Sequence, residues 1–279
     1  MKSTRLIRGI AVFSAAIILI AACRQDNRKD ESSAEAQAGA VKSALNTILE
    51  RGTIRVGTTG DFNPFSFKDP ETGEYKGHDI ELVKKLAADI GVEVEWVATD
   101  WKNLVSGVAA GKYDITTGAS YNMGRAKTAG YTLPVIQVGT VPMTLKKNVS
   151  KFQSWEDIDK ADVTVAVTLG TVFEDQAKAL FNLAQIKAVE SPARDYQEVL
   201  AGRVPVSITS TFEASKLADT YEELAIVPVN APRFQNAIGI LVSQDDQILI
   251  NYINVWITMQ RYGGFLAELS TKWLPSLEF

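Results

Sequence analysis

Arg125 follows a Gly-Ala-Ser turn at the end of an apolar run, and this placement suits it to binding a carboxylate. The residues of that turn, Gly118 to Ser120, offer backbone N–H groups and a hydroxyl. A guanidinium adds a planar pair of donors that fits the two oxygens of a carboxylate. A surface arginine paired with an acid would have the same local pattern. The rest of the chain is needed to decide between these interpretations.

The N-terminal sequence indicates export from the cytoplasm. Lys2, Arg5 and Arg8 form a basic region, and residues 10–22 form an apolar core too short for a stable membrane span. Small residues precede Cys23, the single cysteine, and resemble the lipobox of bacterial lipoproteins. We predict that residues 1–23 are a lipoprotein signal peptide and that lipidated Cys23 anchors the protein in the periplasm. A cleaved signal and a soluble periplasmic product are the alternative.

The composition indicates a tether followed by a folded region with a small partner. Residues 24–44 are charged, rich in Ala, Ser and Gln, and without apolar periodicity, so we expect a disordered tether. The remainder has enough apolar residues for one large domain or two small lobes. The net charge is −4, without a basic stripe for nucleic acid or a second apolar run of membrane length. No His/Cys cluster suits zinc, so no metal or cofactor is expected.

Strand and helix patterns alternate along the folded region. This alternation predicts a mostly parallel sheet with helices on both faces, including a helix at residues 101–110. Apolar runs at residues 138–145 and 237–242 could carry the chain between two lobes. We predict lobe 1 from residues 45–140 and 241–279, and lobe 2 from residues 141–240. Two extended crossovers between α/β lobes form a hinge, with a ligand cleft expected between the lobes.

Several short motifs resemble the family 3 periplasmic solute-binding proteins, which serve ABC importers of polar amino acids. They are LERGTIRVG at 49–57, GHDIEL at 77–82, GKYD at 111–114, RAK at 125–127, YTLP at 131–134 and LGT at 169–171. The resemblance extends over about residues 45–274. It implies a type II periplasmic binding protein fold, with two α/β lobes joined by a two-stranded hinge. An ABC permease would be the protein partner.

The resemblance also implies roles for individual residues. Arg125 and Ser120 would hold the ligand carboxylate from lobe 1, with a backbone contact from Gly118. Gly170 and Thr171 would contact the same group from lobe 2, where a helix begins. A helix N-terminus favours anions, so this assignment agrees with the electrostatics of the helix.

The walls of the cleft and the amino end of a ligand involve further residues. Phe62 and Trp101 stand where the family has aromatic walls, with core packing as the alternative. Amino acid binders usually have an Asp at the position of Ser210, where it receives the α-ammonium group, and many have an acid at Thr59. A hydroxyl offsets the burial of an ammonium group less well, so α-amino acids should bind more weakly by roughly a few kcal/mol. Asp61 could substitute for the missing acids.

The chain also resembles the cyclohexadienyl dehydratases, periplasmic enzymes on the same scaffold that act on prephenate or arogenate. The run TTGDFNPFSF at residues 58–67 is similar to their opening, and Trp101, Asn122 and Glu174 stand at matching positions. Loss of water and carbon dioxide needs an acid, and Glu174 kept neutral in a dry cleft could be that acid. A solvated helix residue is the alternative for Glu174. We expect a solute-binding protein for a small carboxylate or amino-acid-like ligand, with the dehydratase as the alternative.

Overall fold

Strands and helices alternate through residues 43–274, the part of the chain that this computed structural model describes. The predicted signal peptide with Cys23, and residues 24–42 of the predicted tether, lie outside these residues. The strands are β1 (Thr53–Thr58), β2 (Asp61–Phe62), β3 (Ser66–Lys68), β4 (Tyr75–Lys76), β5 (Glu93–Ala98), β6 (Ile115–Ser120), β7 (Ala129–Tyr131), β8 (Ile136–Leu145), β9 (Thr164–Thr168), β10 (Gln185–Val189), β11 (Val206–Ser210), β12 (Leu224–Ile226) and β13 (Arg233–Ser243).

The helices lie between these strands and after the last of them. The α-helices are α1 (Ala44–Arg51), α2 (His78–Ile90), α3 (Leu104–Ala109), α4 (Met123–Ala126), α5 (Trp155–Ile158), α6 (Val172–Leu180), α7 (Asp195–Leu200), α8 (Thr211–Thr220), α9 (Gln247–Tyr262) and α10 (Phe265–Trp273). A 3₁₀-helix spans Lys146–Lys151. Among the helices of residues 43–274, none combines the length and the apolar character needed to cross a bilayer.

The main sheet runs through both halves of the described region in the order β10-β9-β11-β8-β13-β6-β1-β5. The outer pairs on each side are parallel, such as β1 with β5 and β9 with β10. In the middle, β8 and β13 pair antiparallel with each other. The half with β1, β5 and β6 is called lobe 1 below, and the half with β9, β10 and β11 is called lobe 2. The antiparallel pair β8 and β13 is the two-stranded connection of a type II fold.

Each lobe has its own hydrophobic core on the faces of this sheet. In lobe 1, Val56 and Ile115 pack against Leu82 of α2, and in lobe 2, Val165 packs with Phe173 of α6. Full burial of such a side chain contributes about 1.5–3 kcal/mol. Separate cores let each lobe keep its packing while the connection between them bends. The predicted residue limits of the two lobes stay a prediction.

A further cluster lies beside the connection, where the two lobes meet. Phe65 and Trp101 pack there with Val138 of β8 and Ile238 of β13. Phe212 of α8 reaches this cluster from lobe 2, and its ring centroid lies 6.0 Å from that of Phe65. The aromatic residues predicted as cleft walls are therefore supported from behind by the connecting strands.

Three predicted boundaries differ from the structure. The predicted Gly-Ala-Ser turn is instead the end of β6, which continues to Ser120. The helix expected at residues 101–110 begins at Leu104. Residues 101–103 form a turn in which the Asn103 N–H is bonded to the Asp100 carboxylate at 2.8 Å and to the Asp100 carbonyl at 3.2 Å, and the α-helical bonding starts after this turn. At the other end, the predicted tether extends too far, because Ser43 accepts a hydrogen bond from Leu45 N–H at 3.1 Å as the N-cap of α1.

Candidate functional site

A small cavity lies between the lobes and is lined by residues from both. The lining residues are Phe62, Trp101, Gly118, Ser120, Arg125, Thr171, Val172 and Phe173. Six of the predicted binding residues are thus brought together. The cavity volume is about 10 Å³, close to the smallest space that holds one water molecule. A ligand larger than water can enter only if the lobes move apart.

Arg125 connects the lobes at this cavity. Asn122 is the N-cap of α4, the short helix that contains Arg125. Its side-chain oxygen accepts bonds from the N–H groups of Gly124 at 2.7 Å and Arg125 at 3.1 Å. The Arg125 guanidinium donates through Nη1 to the Ser120 carbonyl at 3.3 Å and through Nη2 to the Gly170 carbonyl at 2.9 Å. The Arg125 guanidinium is therefore bound to two neutral carbonyl groups, one on each lobe. A ligand carboxylate could replace them and form stronger, charge-assisted bonds.

The start of α6 forms the lobe 2 side of the cavity. Gly170 has φ +81°, and a Cβ there would lie 2.7 Å from the backbone N and Cα of Lys102 in lobe 1. Thr171 is the N-cap residue of α6, and its hydroxyl donates to the Thr168 carbonyl at 2.7 Å. The Thr171 hydroxyl proton is therefore used in a bond within its own loop. The N-terminus of α6, with its partial positive charge, borders the cavity.

The aromatic walls come from lobe 1. Phe62 and Trp101 meet edge to face, with ring centroids 5.4 Å apart and planes at 87°. The indole N–H of Trp101 donates to Asp61 Oδ1 at 3.0 Å. The turn that precedes α3 places Trp101 outside the helix, and its ring is nearly fully buried. These walls suit an apolar or planar part of a ligand.

Glu174, the candidate acid, lies one turn into α6 and is not among the residues that line the cavity. Its Oε2 accepts a bond from the Gly170 N–H at 3.2 Å, and its Oε1 accepts one from Lys178 Nζ at 2.6 Å. Partial burial raises the pKa of Glu174, but the bonds from Lys178 and Gly170 outweigh this effect and the pKa is lowered. An acid with a lowered pKa is ionised at neutral pH and is poorly prepared to donate a proton.

Asn122, Ser210 and Asp61 also lie outside the cavity lining. Asn122 Nδ2 donates to Asp175 Oδ2 in lobe 2 at 3.2 Å. Ser210 is fully buried as the N-cap of α8, where its Oγ accepts from the Glu213 N–H at 3.2 Å. Asp61 borders the lining residue Phe62 and is already engaged by Trp101. In this arrangement all three contribute to bonds within the protein.

A buried charged cluster next to the cavity was missed by the sequence analysis. Arg194 and Glu213 form a bidentate pair, with Arg194 Nη2 at 2.9 and 3.1 Å from the two Glu213 oxygens. Thr209 donates its hydroxyl to Glu213, and Arg194 Nε donates to Thr168 Oγ1 at 3.0 Å. Asp195 Oδ1 lies 3.7 Å from Arg194 Nε. Arg194 is 19 residues from Glu213 and 26 from Thr168 in sequence, and a single sequence contains no signal that pairs them.

Burial controls the protonation of this cluster. It raises the pKa of Glu213 from 4.5 to about 7, although the Arg194 charge opposes the shift. Burial also raises the pKa of Asp195, against the effect of Arg194 and of the Thr168 hydroxyl. Within residues 43–274, no group of three or more His, Cys, Asp or Glu side chains is arranged to hold a metal ion. The cluster is thus an ion-pair network with an acid that titrates near neutrality.

The sequence is similar to an enzyme and to amino-acid-binding proteins of known name. The chain is 31% identical over 242 residues to cyclohexadienyl dehydratase of Pseudomonas aeruginosa, which covers 86% of this chain and 90% of that protein. It is 25% identical over 231 residues to the L-cystine-binding protein TcyJ of Escherichia coli K12, covering 82% of this chain and 85% of that protein.

A solved structure and a family profile agree with these matches. The crystal structure of the ancestral amino acid-binding protein AncCDT-1, a precursor of cyclohexadienyl dehydratase, matches with a TM-score of 0.78 and 35% identity. It covers 84% of this chain and 100% of that chain, which confirms the type II fold. The profile of bacterial extracellular solute-binding proteins, family 3, matches residues 54–276. Because that match includes both lobes and every residue that lines the cavity, the chain belongs to family 3 of the bacterial extracellular solute-binding proteins.

Proposed function

We propose that this protein captures a small carboxylate or amino-acid-like ligand by closing its lobes, and delivers it to an ABC permease. The observation that carries the proposal is the position of Arg125, whose guanidinium lines the cavity and reaches the Gly170 carbonyl across the cleft at 2.9 Å. A ligand carboxylate would take the place of that carbonyl. Curated relatives named as binding proteins for amino acids support the choice of ligand class.

The electrostatics of the cavity favour an anionic group between the lobes. Arg125 contributes a full positive charge from lobe 1, and the N-terminus of α6 contributes partial positive charge from lobe 2. The carboxylate would then be held by both lobes at once. The rest of the ligand would lie against Phe62 and Trp101, which offer apolar surface. A ligand bound in this way stabilises the closed arrangement, as hinge-closing proteins require.

The test is a thermal-shift screen of carboxylates and amino acids, followed by calorimetric titration of the best ligand. A hydrogen bond to a charged group contributes about 1.5–3 kcal/mol, so Arg125→Ala should weaken binding about 10- to 150-fold. Arg203→Ala is the matched control, since Arg203 is an exposed lobe 2 arginine paired with Glu198. Equal affinity of Arg125→Ala and Arg203→Ala would show that the carboxylate assignment is wrong.

A prephenate or arogenate dehydratase is the second candidate, favoured by the 31% identity to an enzyme of that name over 90% of its length. Glu174 would be its acid, since it lies beside the cavity and contacts Gly170. Against this role stands the bond from Lys178, which helps to keep the Glu174 pKa low. A catalytic Glu174 would have to lose this partner when substrate binds.

Incubation with prephenate distinguishes the two candidates. Formation of phenylpyruvate that is abolished in Glu174→Gln would establish the enzyme and replace the transport proposal. A binding protein should produce no phenylpyruvate, and its Glu174→Gln variant should keep most of its ligand affinity because Glu174 is outside the cavity lining. Lys178→Met serves as a control, since it removes the Lys178 bond to Glu174 and leaves the Glu174 carboxyl group in place.

Family members are extracytoplasmic, and we propose that this one is anchored through lipidated Cys23 on the periplasmic side. The proposal is supported by the basic and apolar segments that precede the single cysteine. Cys23→Ser should move the protein from the membrane fraction to the soluble periplasmic fraction. Wild-type protein already found in the soluble fraction would contradict the lipid anchor.

A further inference from the structure

Arg194 is a buried cation that is held firmly on lobe 2. Only 4% of Arg194 is exposed, and its guanidinium is bound by Glu213 through two bonds and by Thr168 through one. Glu213 is itself fixed by Thr209 and is 2% exposed. These partners all belong to β9, β11 and α8 of lobe 2. Movement of the lobes would therefore leave this part of the network intact.

The remaining partner of Arg194 is on lobe 1. Arg194 Nη1 donates to the Asp61 carbonyl, and the same nitrogen lies 3.3 Å from Asp61 Oδ2. Asp61 Oδ1 accepts the indole N–H of Trp101 at 3.0 Å, and Trp101 lines the cavity. The contact therefore joins lobe 2 to the aromatic wall of the proposed binding site, at a place separate from Arg125.

Burial makes this contact stronger than the ion pair between Lys102 and Glu190, which also crosses the cleft. Lys102 Nζ lies 2.6 Å from Glu190 Oε1, but the two side chains are 56% and 65% exposed. Exposed pairs contribute about 0–1 kcal/mol. The Arg194 side chain is 5% exposed and that of Asp61 is 26% exposed, so water screens their attraction much less. Separation of the lobes would remove both Asp61 acceptors from Arg194 and expose its pair with Glu213.

We propose that Arg194 and Asp61 form a clasp that holds the lobes closed in the absence of ligand and so sets the affinity of the cleft. The closed cavity has room for about one water molecule, so a ligand must first part the lobes. The free energy needed to break the clasp is then subtracted from the binding free energy, and the apparent affinity is lower than it would be without the clasp. The consequence for affinity rests on the proposed binding function. The clasp itself concerns only the equilibrium between open and closed lobes, which is measured without ligand.

The experiment measures the distance between the lobes by double electron–electron resonance in ligand-free, full-length chain. Spin labels are attached at Lys84→Cys in lobe 1 and Lys216→Cys in lobe 2, both exposed, in a Cys23→Ser background. Asp61→Asn removes the charge but keeps the carbonyl acceptor and the side-chain shape. It should raise the ratio of open to closed protein about tenfold, as expected for loss of a charge-assisted bond. Lys102→Met removes the exposed pair and should change the ratio less than about fivefold.

Several results would overturn the clasp. They are a wild-type protein that is fully open, an Asp61→Asn distance distribution equal to that of wild type, and a shift in Lys102→Met as large as in Asp61→Asn. Circular dichroism verifies that each variant is folded, and Asp61→Ser provides a second test if Asn fails to fold. Because no ligand is used, an Arg125→Ala variant that binds normally would refute the proposed function while leaving the clasp standing.

Discussion

Replacement of Gly170 by alanine would test whether ligand binding brings the lobes together at Gly170 and Lys102. A Cβ at this position would lie 2.7 Å from the N and Cα atoms of Lys102 and 2.9 Å from the carbonyl carbon of Trp101. All three are backbone atoms, which cannot rotate away as the end of a side chain can. They belong to lobe 1, whereas Gly170 belongs to lobe 2, so the clash exists only when the lobes are closed.

Two energetic effects of Gly170→Ala can be separated. Gly170 has φ +81°, and a left-handed conformation costs an L-residue about 1–2 kcal/mol. This cost is local to the loop and applies to open and closed protein alike, so it lowers stability but not affinity. The clash with Lys102 resembles overpacking, which costs about 1–3 kcal/mol, and it opposes closure only. Affinity should therefore fall about 5- to 150-fold.

Gly202→Ala provides the matched control for the assay. Gly202 has φ +69°, and a Cβ there would meet nothing within 4 Å, so the variant has the backbone strain without the clash. Thermal unfolding should show similar losses of stability in the two variants. Calorimetric titration should show weakened binding only in Gly170→Ala. Equal affinities in the two variants would refute the claim that the lobes approach each other at Gly170 and Lys102 when ligand is bound.

Two further predictions concern stability. Burial raises the pKa of Glu213 from 4.5 to about 7, so the folded protein retains a proton that the unfolded chain releases. The free energy of unfolding should therefore fall by about 3 kcal/mol as the pH rises from 4.5 to 7. Glu213→Gln should flatten this dependence in urea unfolding at several pH values, and an unchanged slope would contradict the assignment. Ser210→Ala removes the N-cap of α8 and should cost about 1 kcal/mol, whereas Ser210→Thr should keep most of the stability; equal melting temperatures of wild type and Ser210→Ala would contradict the cap.

The sequence predicted the fold because the alternation of strands and helices is a local pattern. Alternating strand and helix periodicity indicated the layered sheet. The run from Gly118 to Ser120 before Arg125 drew attention to this site, although the structure places these three residues inside β6 and not in a turn. The sequence predicted the start of α3 less well. Asp100 accepts the Asn103 N–H in a turn over residues 101–103, and α3 begins at Leu104, so Trp101 lies in that turn and not in the helix. The helical spacing of apolar residues does not reveal that the Asp100 side chain closes a turn just before the helix begins.

The missing acid at position 210 illustrates what tertiary structure adds. The sequence analysis inferred a weak site for an ammonium group because Ser210 replaces an acid. The structure supplies a carboxylate one turn later, at Glu213, where Thr209 donates to it. That carboxylate is bound at both oxygens by Arg194, so a ligand ammonium would have to displace a buried guanidinium that also binds Thr168. Breaking such a pair leaves an uncompensated charge in the interior, at a cost of about 3–5 kcal/mol. The expectation of a carboxylate ligand without a conventional ammonium site stays a prediction, and its physical basis moves from the hydroxyl of Ser210 to the charge of Arg194.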